Sequence, residues 1–219
     1  GNIRFTAGMQ PGLFIAEEGQ DGSYSAEEKL FQVLVAGLRD YLAKTKQTRV
    51  VLGLSGGIDS ALCAALAVEA IGMQNVLGVS MPSRYSSEHS VSDAVSLARN
   101  LGIELRSVPI EPAHLAFESM LTLSDLAQEN LQARLRAVIL MGISNSEGRL
   151  LLTTGNKSEV AVGYSTIYGD SAGGFAPIKD LLKTDVWRMA RYVNKRAATE
   201  LIPVSSIEKP PSAELRPGQ

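Results

Sequence analysis

One short apolar run that ends at a pair of glycines constrains the fold of this chain more than any other feature. Residues 50–54 read Val-Val-Leu-Gly-Leu, and residues 55–60 read Ser-Gly-Gly-Ile-Asp-Ser. A continuous apolar run of this length is typical of a strand buried on both faces, as in parallel sheets covered by helices. The apolar residues 61–71 then predict a helix that ends at Gly72. The segment therefore predicts a strand, a tight loop and a helix in direct succession.

The same alternation continues along the chain. Further strands are predicted at residues 76–81, 103–109 and 150–154. Helices are predicted at residues 26–43, 129–144 and 184–194, together with one that Ser90 caps and that ends near Leu101. Strands that alternate with helices predict an α/β fold, a doubly wound parallel sheet with helices on both faces. In such sheets, ligands bind at the carboxyl ends of the strands.

Composition and charge exclude several classes of protein. The 219 residues are 45% hydrophobic with a formal net charge of −2, which suits one large domain and gives no basic excess for nucleic acid. No apolar run approaches the ~20 residues that a membrane-spanning helix needs. The lone Cys63 excludes an internal disulfide, fits a reducing cytoplasm and is expected to be a small buried hydrophobe. His89 and His114 lack metal-ligand spacing and are expected at the surface or at helix caps.

The loop at 55–60 has the properties of a phosphate-binding site. Its two glycines allow backbone amides to approach a ligand, and the first amides of the following helix carry partial positive charge. The loop lacks the Gly-Lys-Ser/Thr of kinases and GTPases and the Gly-x-Gly-x-x-Gly of dinucleotide-binding folds. Asp59 would repel phosphate on its own, but would bridge to it through Mg²⁺. The alternative is that the glycines only make a tight turn and Asp59 only favours the helix start.

This loop resembles the signature of the ATP pyrophosphatases, the N-type PP-loop family. The resemblance implies the adenine nucleotide alpha hydrolase-like form of the doubly wound fold. Members cleave ATP between the α- and β-phosphates and transfer AMP to an oxygen of the substrate. The loop alone leaves GMP synthetases, asparagine synthetases, NAD synthetases and tRNA-modifying relatives open.

Five further segments resemble the synthetase domain of glutamine-dependent NAD synthetases, in that family's order. They are Met-Pro-Ser-Arg-Tyr-Ser-Ser at 81–87, Glu-Asn-Leu-Gln-Ala-Arg-Leu-Arg at 129–136, Thr-Thr-Gly-Asn-Lys-Ser-Glu at 153–159, Gly-Gly-Phe-Ala-Pro-Ile-Lys-Asp at 173–180 and Ile-Glu-Lys-Pro-Pro-Ser-Ala-Glu-Leu at 207–215. The resemblance covers about residues 25–219. It implies ATP-dependent amidation of deamido-NAD to NAD through an adenylated intermediate, with release of AMP and pyrophosphate. It also implies a cytoplasmic homodimer or larger homo-oligomer, with ammonia supplied by a nitrilase-like glutaminase domain in a full-length protein.

The resemblance also assigns roles to individual residues. It implies ATP contacts from Gly53, Leu54, Ser55, Gly56, Gly57, Ile58, Asp59, Ser60, Arg84, Thr154, Lys183 and Ser212. It implies deamido-NAD contacts from Asn130, Arg134, Glu159 and Asp170, and Mg²⁺ ligation by Asp59 and Glu159. Asp59 and Lys183 are the expected catalytic residues.

Each assignment has a plainer alternative. Arg134 and Arg136 would both suit the exposed side of an amphipathic helix. Glu159 would favour a helix start in any case, and Lys183 would suit a solvated surface.

Two expectations concern the limits of the domain. Residues 1–24 are expected to be an arm or linker, or the junction from a missing glutaminase domain. Residues 25–219 are expected to be a synthetase domain that is truncated at its C-terminus, with an irregular tail from 202. Two rival functions stay open: another amidating pyrophosphatase such as the synthetase half of a GMP synthetase, and a nucleotide sensor that binds ATP without turnover.

Overall fold

The computed structural model describes residues 24–210 and 212–216, so the predicted arm lies almost entirely outside the described residues. Within them, four parallel strands form one sheet in the order β3-β2-β1-β4. The strands are β1 (Val50–Gly53), β2 (Val76–Ser80), β3 (Glu104–Ser107) and β4 (Leu150–Leu151). The predicted parallel sheet is confirmed, although β4 is shorter than the predicted 150–154.

Helices connect and flank these strands. They are α1 (Ala26–Lys44), α2 (Ile58–Ile71), α3 (Glu88–Leu101), α4 (Glu111–Met120), α5 (Asp125–Glu147), α6 (Lys157–Val162), α7 (Lys183–Ala197) and α8 (Val204–Glu208). No helix in the described part of the chain is both long and apolar enough to cross a membrane.

Two apolar layers cover the two faces of the sheet. One layer joins α1, α2 and α7. Helix α1 contributes Phe31, Val35 and Leu38, which lie along one stripe at helical spacing. The other layer joins β1, β2 and β4 to α5 through residues such as Leu77 and Leu135. Strand β1 lies between the layers, where its first three residues are fully buried. The prediction of helices on both faces is confirmed.

The order of the strands predicts where a ligand would bind. The chain runs outward from β1 to β2 and β3, and then returns to add β4 on the other side of β1. The strand order therefore reverses beside β1, and in open α/β sheets the crevice at the carboxyl ends of the strands opens at such a point. The glycine loop that follows β1 lies at this position.

Several boundaries differ from the sequence predictions. Helix α2 begins at Ile58, three residues before the predicted start. The N-cap of α3 is Ser87, not Ser90, because Ser87 has an extended backbone and its hydroxyl accepts a hydrogen bond from the Ser90 amide. Helix α8 lies inside the tail that was predicted to be irregular, and α4 had no predicted counterpart.

The predictions for Cys63, His89 and His114 had different outcomes. Cys63 is fully buried, as predicted. The prediction of a surface or capping position for His114 is wrong, because α4 packs against α5 and its His114 side chain is fully buried. His89 is exposed, as predicted.

Candidate functional site

A cavity of about 710 Å³ opens at the carboxyl ends of β1, β2 and β4. Its walls come from the glycine loop, α5, the segments after β4, and residues of the C-terminal part at 206–210 and 212–216. Most of the predicted site residues line it: Gly53, Leu54, Ser55, Gly57, Ile58, Asp59, Ser60, Asn130, Thr154, Glu159, Asp170, Lys183 and Ser212. The structure therefore brings together residues from six separate segments of the sequence.

The glycine loop is held by its own two serines. The hydroxyl of Ser55 accepts from the amide of Gly57 at 3.2 Å, and the hydroxyl of Ser60 donates to the Gly57 carbonyl at 3.0 Å. Gly56 has a φ of +75°, and a Cβ atom there would lie 2.2 Å from the backbone oxygen of Ser90. Only glycine fits that position, whereas Gly57 has an ordinary φ of −84°. Gly56 supports the loop from behind and does not itself line the cavity.

A charged cluster lies beside this loop. The carboxylate of Asp59 accepts a hydrogen bond from the Asn156 side-chain amide at 2.9 Å and forms a short ion pair with Lys183. The Nζ of Lys183 also lies 3.8 Å from Oε1 of Glu159. The Asp59 and Lys183 side chains are less than one fifth exposed. We refer to Asp59, Asn156, Glu159 and Lys183 as the acidic cluster.

Asn156 joins the two carboxylates of the acidic cluster. It is fully buried and caps α6 through a reciprocal capping box with Glu159. Its Oδ1 accepts from the backbone amide of Glu159 at 3.0 Å, and the backbone amide of Asn156 donates to Oε2 of Glu159 at 3.2 Å. The same side chain therefore caps a helix and contacts the glycine loop.

The electrostatics of the acidic cluster favour a bound cation. Burial raises the pKa of Glu159, and the nearby charge of Asp59 raises it further, while the backbone of Asn156 and the charge of Lys183 lower it. Two carboxylates share one ammonium group, which leaves net negative charge. Mg²⁺ takes oxygen ligands, commonly one or two carboxylates completed by phosphate and water, so these residues fit that ion. The described residues contain no group of three or more His, Cys, Asp or Glu side chains that would hold a metal without such help.

Asn130 and Asp170 form a second corner of the cavity through Thr166. Oδ1 of Asn130 accepts from the Thr166 hydroxyl at 2.7 Å, and Oδ1 of Asp170 accepts from the Thr166 amide at 2.7 Å. These bonds hold the loop before Asp170 against α5. Both side chains thus help to shape the wall of the cavity.

Besides Gly56, two predicted residues lie outside the cavity. Arg84 forms ion pairs with Glu111 and Glu118 at the start and end of α4. Arg134 is exposed, and its Nε donates to the carbonyl of Ile167 at 3.2 Å. The predicted contacts of these arginines with substrates remain predictions.

The C-terminal residues 209–210 and 212–216 close one side of the cavity. Lys209 donates to the Ser90 hydroxyl at 3.0 Å and to Asp93 at 3.2 Å. Glu214 accepts from the hydroxyls of Ser87 and Ser90 at 2.8 and 2.7 Å. Burial raises the pKa of Glu214, but the hydrogen bonds from Ser90 and Ser87 outweigh this effect, and its pKa is lowered overall.

Sequence reasoning missed two residues that build the site, Asn156 and Glu214, and left the role of Arg136 open. A signal existed for Asn156, because an Asn followed three residues later by Glu is a capping pattern. No local pattern indicates the other two, whose positions depend on how α5 and the C-terminal segment pack.

Comparisons with known proteins agree on one family. A family model described as NAD synthase matches residues 30–219. The glutamine-dependent NAD(+) synthetase of Thermotoga maritima is 53% identical over 199 residues, which are 88% of this chain and 34% of that protein. That of Rhodobacter capsulatus is 54% identical over 205 residues, which are 88% of this chain and 37% of that protein. The chain thus spans about a third of the length of these curated relatives.

Solved structures of NAD synthetases also resemble this chain. A glutamine-dependent NAD+ synthetase from Acinetobacter baumannii in complex with ADP superimposes with a TM-score of 0.85 at 43% identity. The match covers 89% of this chain and 38% of that one. An NH3-dependent NAD synthetase from Campylobacter jejuni has a TM-score of 0.78 at 32% identity, covering 84% of this chain and 78% of that one.

Proposed function

Because this chain belongs to the NAD synthase family, we propose that it carries out the ATP-dependent amidation of deamido-NAD to NAD. The observation that carries the proposal is the acidic cluster beside the glycine loop, in one cavity at the carboxyl ends of β1, β2 and β4. A kinase-type loop would present a lysine to the γ-phosphate, whereas this loop presents Asp59. The arrangement suits an ATP whose pyrophosphate end is held while its α-phosphate reacts.

The proposed reaction has two steps. The nicotinate carboxylate of deamido-NAD attacks the α-phosphorus of ATP, a carboxyl O–P bond forms, and the bond to the β-phosphate oxygen breaks to release pyrophosphate. Ammonia then attacks the adenylated carbonyl, so that a C–N bond forms, a proton is lost and AMP leaves. The sum is deamido-NAD, ATP and ammonia giving NAD, AMP and pyrophosphate.

The residues of the chain supply positioning and charge. The first amides of α2 and the hydroxyls of Ser55 and Ser60 hold the pyrophosphate oxygens. Asp59 and Glu159 would hold Mg²⁺, which neutralises phosphate charge when bound. Lys183 orients Asp59 and adds positive charge where negative charge develops on the phosphates. Thr154 and Ser212 line the same cavity and are proposed to contact ATP, and Asn130 and Asp170, which also line it, are proposed to contact deamido-NAD.

The source of nitrogen is a separate part of the proposal. The curated relatives are named glutamine-dependent and are about three times as long as this chain. We therefore assign residues 25–219 to the synthetase domain and residues 1–24 to an arm or a junction. In a full-length cytoplasmic protein, a nitrilase-like glutaminase domain would deliver ammonia, and the synthetase domains would associate as a homodimer or larger homo-oligomer.

The test is product analysis with deamido-NAD, ATP, Mg²⁺ and ammonium chloride. We expect AMP, pyrophosphate and NAD in equal amounts, and none of the three with Asp59→Ala. ADP and inorganic phosphate as products would contradict the proposed chemistry. Turnover of xanthosine monophosphate instead would favour a GMP synthetase, and stabilisation by ATP with no pyrophosphate formed would favour a nucleotide sensor.

A further inference from the structure

Arg136 contributes a guanidinium group to the cavity lining, and the proposed reaction assigns no role to this residue. It lies on α5 among Ala133, Ala137 and Leu140, which line the same wall. The sequence left open an exposed position for this arginine, but its side chain is half-buried. Its Nε donates to the carbonyl of Met81 at 3.1 Å, at the end of β2.

The charge of Arg136 lacks an ion-pair partner among residues 24–210 and 212–216. Other arginines of the chain, including Arg84, Arg106 and Arg196, form ion pairs with glutamates. Burial lowers the pKa of Arg136 to about 10, and the charge of Glu214 only partly opposes this effect. The carboxylate of Glu214 is already engaged by the hydroxyls of Ser87 and Ser90. A half-buried cation without a carboxylate is unfavourable unless an anion joins it.

Arg136 and the glycine loop line the same cavity. Met81, whose carbonyl accepts from the Nε of Arg136, also contacts the end of β1 just before that loop, since a Cβ atom on Gly53 would lie 3.1 Å from Cε of Met81. Helix α5 covers one face of the sheet and α7, which carries Lys183, covers the other. The two cations therefore reach one cavity from opposite faces. Lys183 is neutralised by the carboxylates of the acidic cluster, whereas Arg136 is not.

We propose that Arg136 binds an anionic oxygen of a bound nucleotide, a phosphate of either ATP or deamido-NAD. The proposal rests on the proposed function for the identity of the two nucleotides. With Nε fixed by Met81, the two Nη groups form no hydrogen bond with the residues that the structure describes, and they can donate to two oxygens of one phosphate. The fixed guanidinium loses little freedom on binding, so it acts as a preformed contact.

The test separates binding from stability in the purified chain. Arg136→Met removes the charge, Arg136→Lys keeps it without the planar fork, and Arg191→Met removes an exposed arginine of α7 as the matched control. Each variant is measured for its thermal midpoint without ligand, and by calorimetry for its affinity for ATP with Mg²⁺ and, separately, for deamido-NAD.

We expect Arg136→Met to unfold at the same temperature as the wild type or higher, because an uncompensated charge is removed. We expect its affinity for one of the two nucleotides to fall about tenfold or more, the worth of a charge-assisted hydrogen bond. The nucleotide that is affected identifies the source of the phosphate. Arg136→Lys should recover part of the loss, and Arg191→Met should match the wild type in both measurements.

Two results would overturn the proposal. A lower thermal midpoint of Arg136→Met with both affinities unchanged would mean that the arginine only supports Met81 and Glu214. If Arg136→Met changed neither the two affinities nor the thermal midpoint, Arg136 would have no role in nucleotide binding or in stability. A wild type that binds ATP but makes no NAD would contradict the proposed function alone, while binding of neither nucleotide would contradict both.

Discussion

The side-chain amide of Asn156 donates to the Asp59 carboxylate at 2.9 Å, across 97 residues of sequence. Lys183 occupies the other carboxylate oxygen. Asp59 is therefore held on two sides, and the capping of α6 by Asn156 fixes the position of Glu159 in the same network. The arrangement sets the spacing of the two carboxylates before any ligand binds, which favours binding because little reorganisation is needed.

Asn156 should accordingly be a positioning residue. We expect Asn156→Ala to lower the free energy of unfolding by about 2 kcal/mol, because a helix cap and a buried hydrogen bond are both lost. Asn156→Asp keeps the cap but adds a carboxylate beside Asp59, so Mg²⁺ should raise its thermal midpoint more than it raises that of the wild type. Thermal scans with and without Mg²⁺ measure both effects. Equal responses of Asn156→Asp and the wild type to Mg²⁺ would contradict a role in setting the carboxylates.

Lys183 balances Asp59 and Glu159, and its loss should affect stability and turnover together. We expect Lys183→Met to reduce pyrophosphate release about a hundredfold or more, the usual effect of removing one preorganised electrostatic group. The unliganded protein should lose about 2 kcal/mol of unfolding free energy, since two carboxylates are left without their shared cation. Lys195→Met on the exposed end of α7 is the control and should leave both quantities near the wild type. A Lys183→Met variant with normal turnover would show that the lysine is only structural.

The two glycines of the loop should respond differently to the same substitution. Gly56→Ala places a side chain at a φ of +75° and 2.2 Å from the backbone of Ser90, so we expect a loss of roughly 3 kcal/mol in unfolding free energy. Gly57→Ala has an ordinary φ, and its closest contact is the Ser55 hydroxyl at 3.2 Å, so the loss should be well under half as large. Urea denaturation of the two variants makes the comparison. Equal losses would mean that the strain does not lie where the structure places it.

The glycine loop illustrates what could be predicted from sequence. Its strand, its turn and its helix follow one another directly, so local pattern was enough to place Asp59 at the carboxyl edge of the sheet. Glu159 and Lys183 could be named only through the family resemblance. Their contact with Asp59 depends on the order of β1 and β4 in the sheet, which no local pattern encodes.

Helix α5 illustrates what could not be predicted. Apolar residues occur on several of its sides, and Val138 is 68% exposed, so periodicity could not tell which arginine faces inward. Arg134 points outward and Arg136 lies in the cavity wall. Helix α4 escaped prediction for a related reason: it exposes Leu115, Phe117 and Met120 and fully buries a histidine, the reverse of an amphipathic pattern.

A contact between the first and seventh helices provides a pH-dependent prediction. The Tyr192 hydroxyl on α7 donates a short hydrogen bond to the Glu28 carboxylate on α1. Burial raises the pKa of Tyr192 to about 12, with the hydrogen bond and charge of Glu28 acting in the same direction and Arg196 opposing them. The hydrogen bond from Tyr192 also lowers the pKa of Glu28, against the effect of burial.

We expect Tyr192→Phe to lose about 1 kcal/mol of unfolding free energy at pH 7, a modest value because Glu28 is only partly buried. Unfolded tyrosine releases its proton near pH 10, whereas folded Tyr192 keeps its proton until about pH 12, so its contribution is full below pH 10 and is lost as the pH rises from 10 to 12. The lowered pKa of Glu28 matters at acidic pH. Its contribution to the unfolding free energy is present above pH 4.5 and is lost as the pH falls. The difference in urea stability between wild type and Tyr192→Phe should therefore be constant between these limits and shrink outside them.

Tyr24→Phe, at a half-exposed tyrosine, is the control and should show no such profile. A Tyr192→Phe difference that stayed constant from pH 4 to pH 12 would show that the hydroxyl contributes through packing alone.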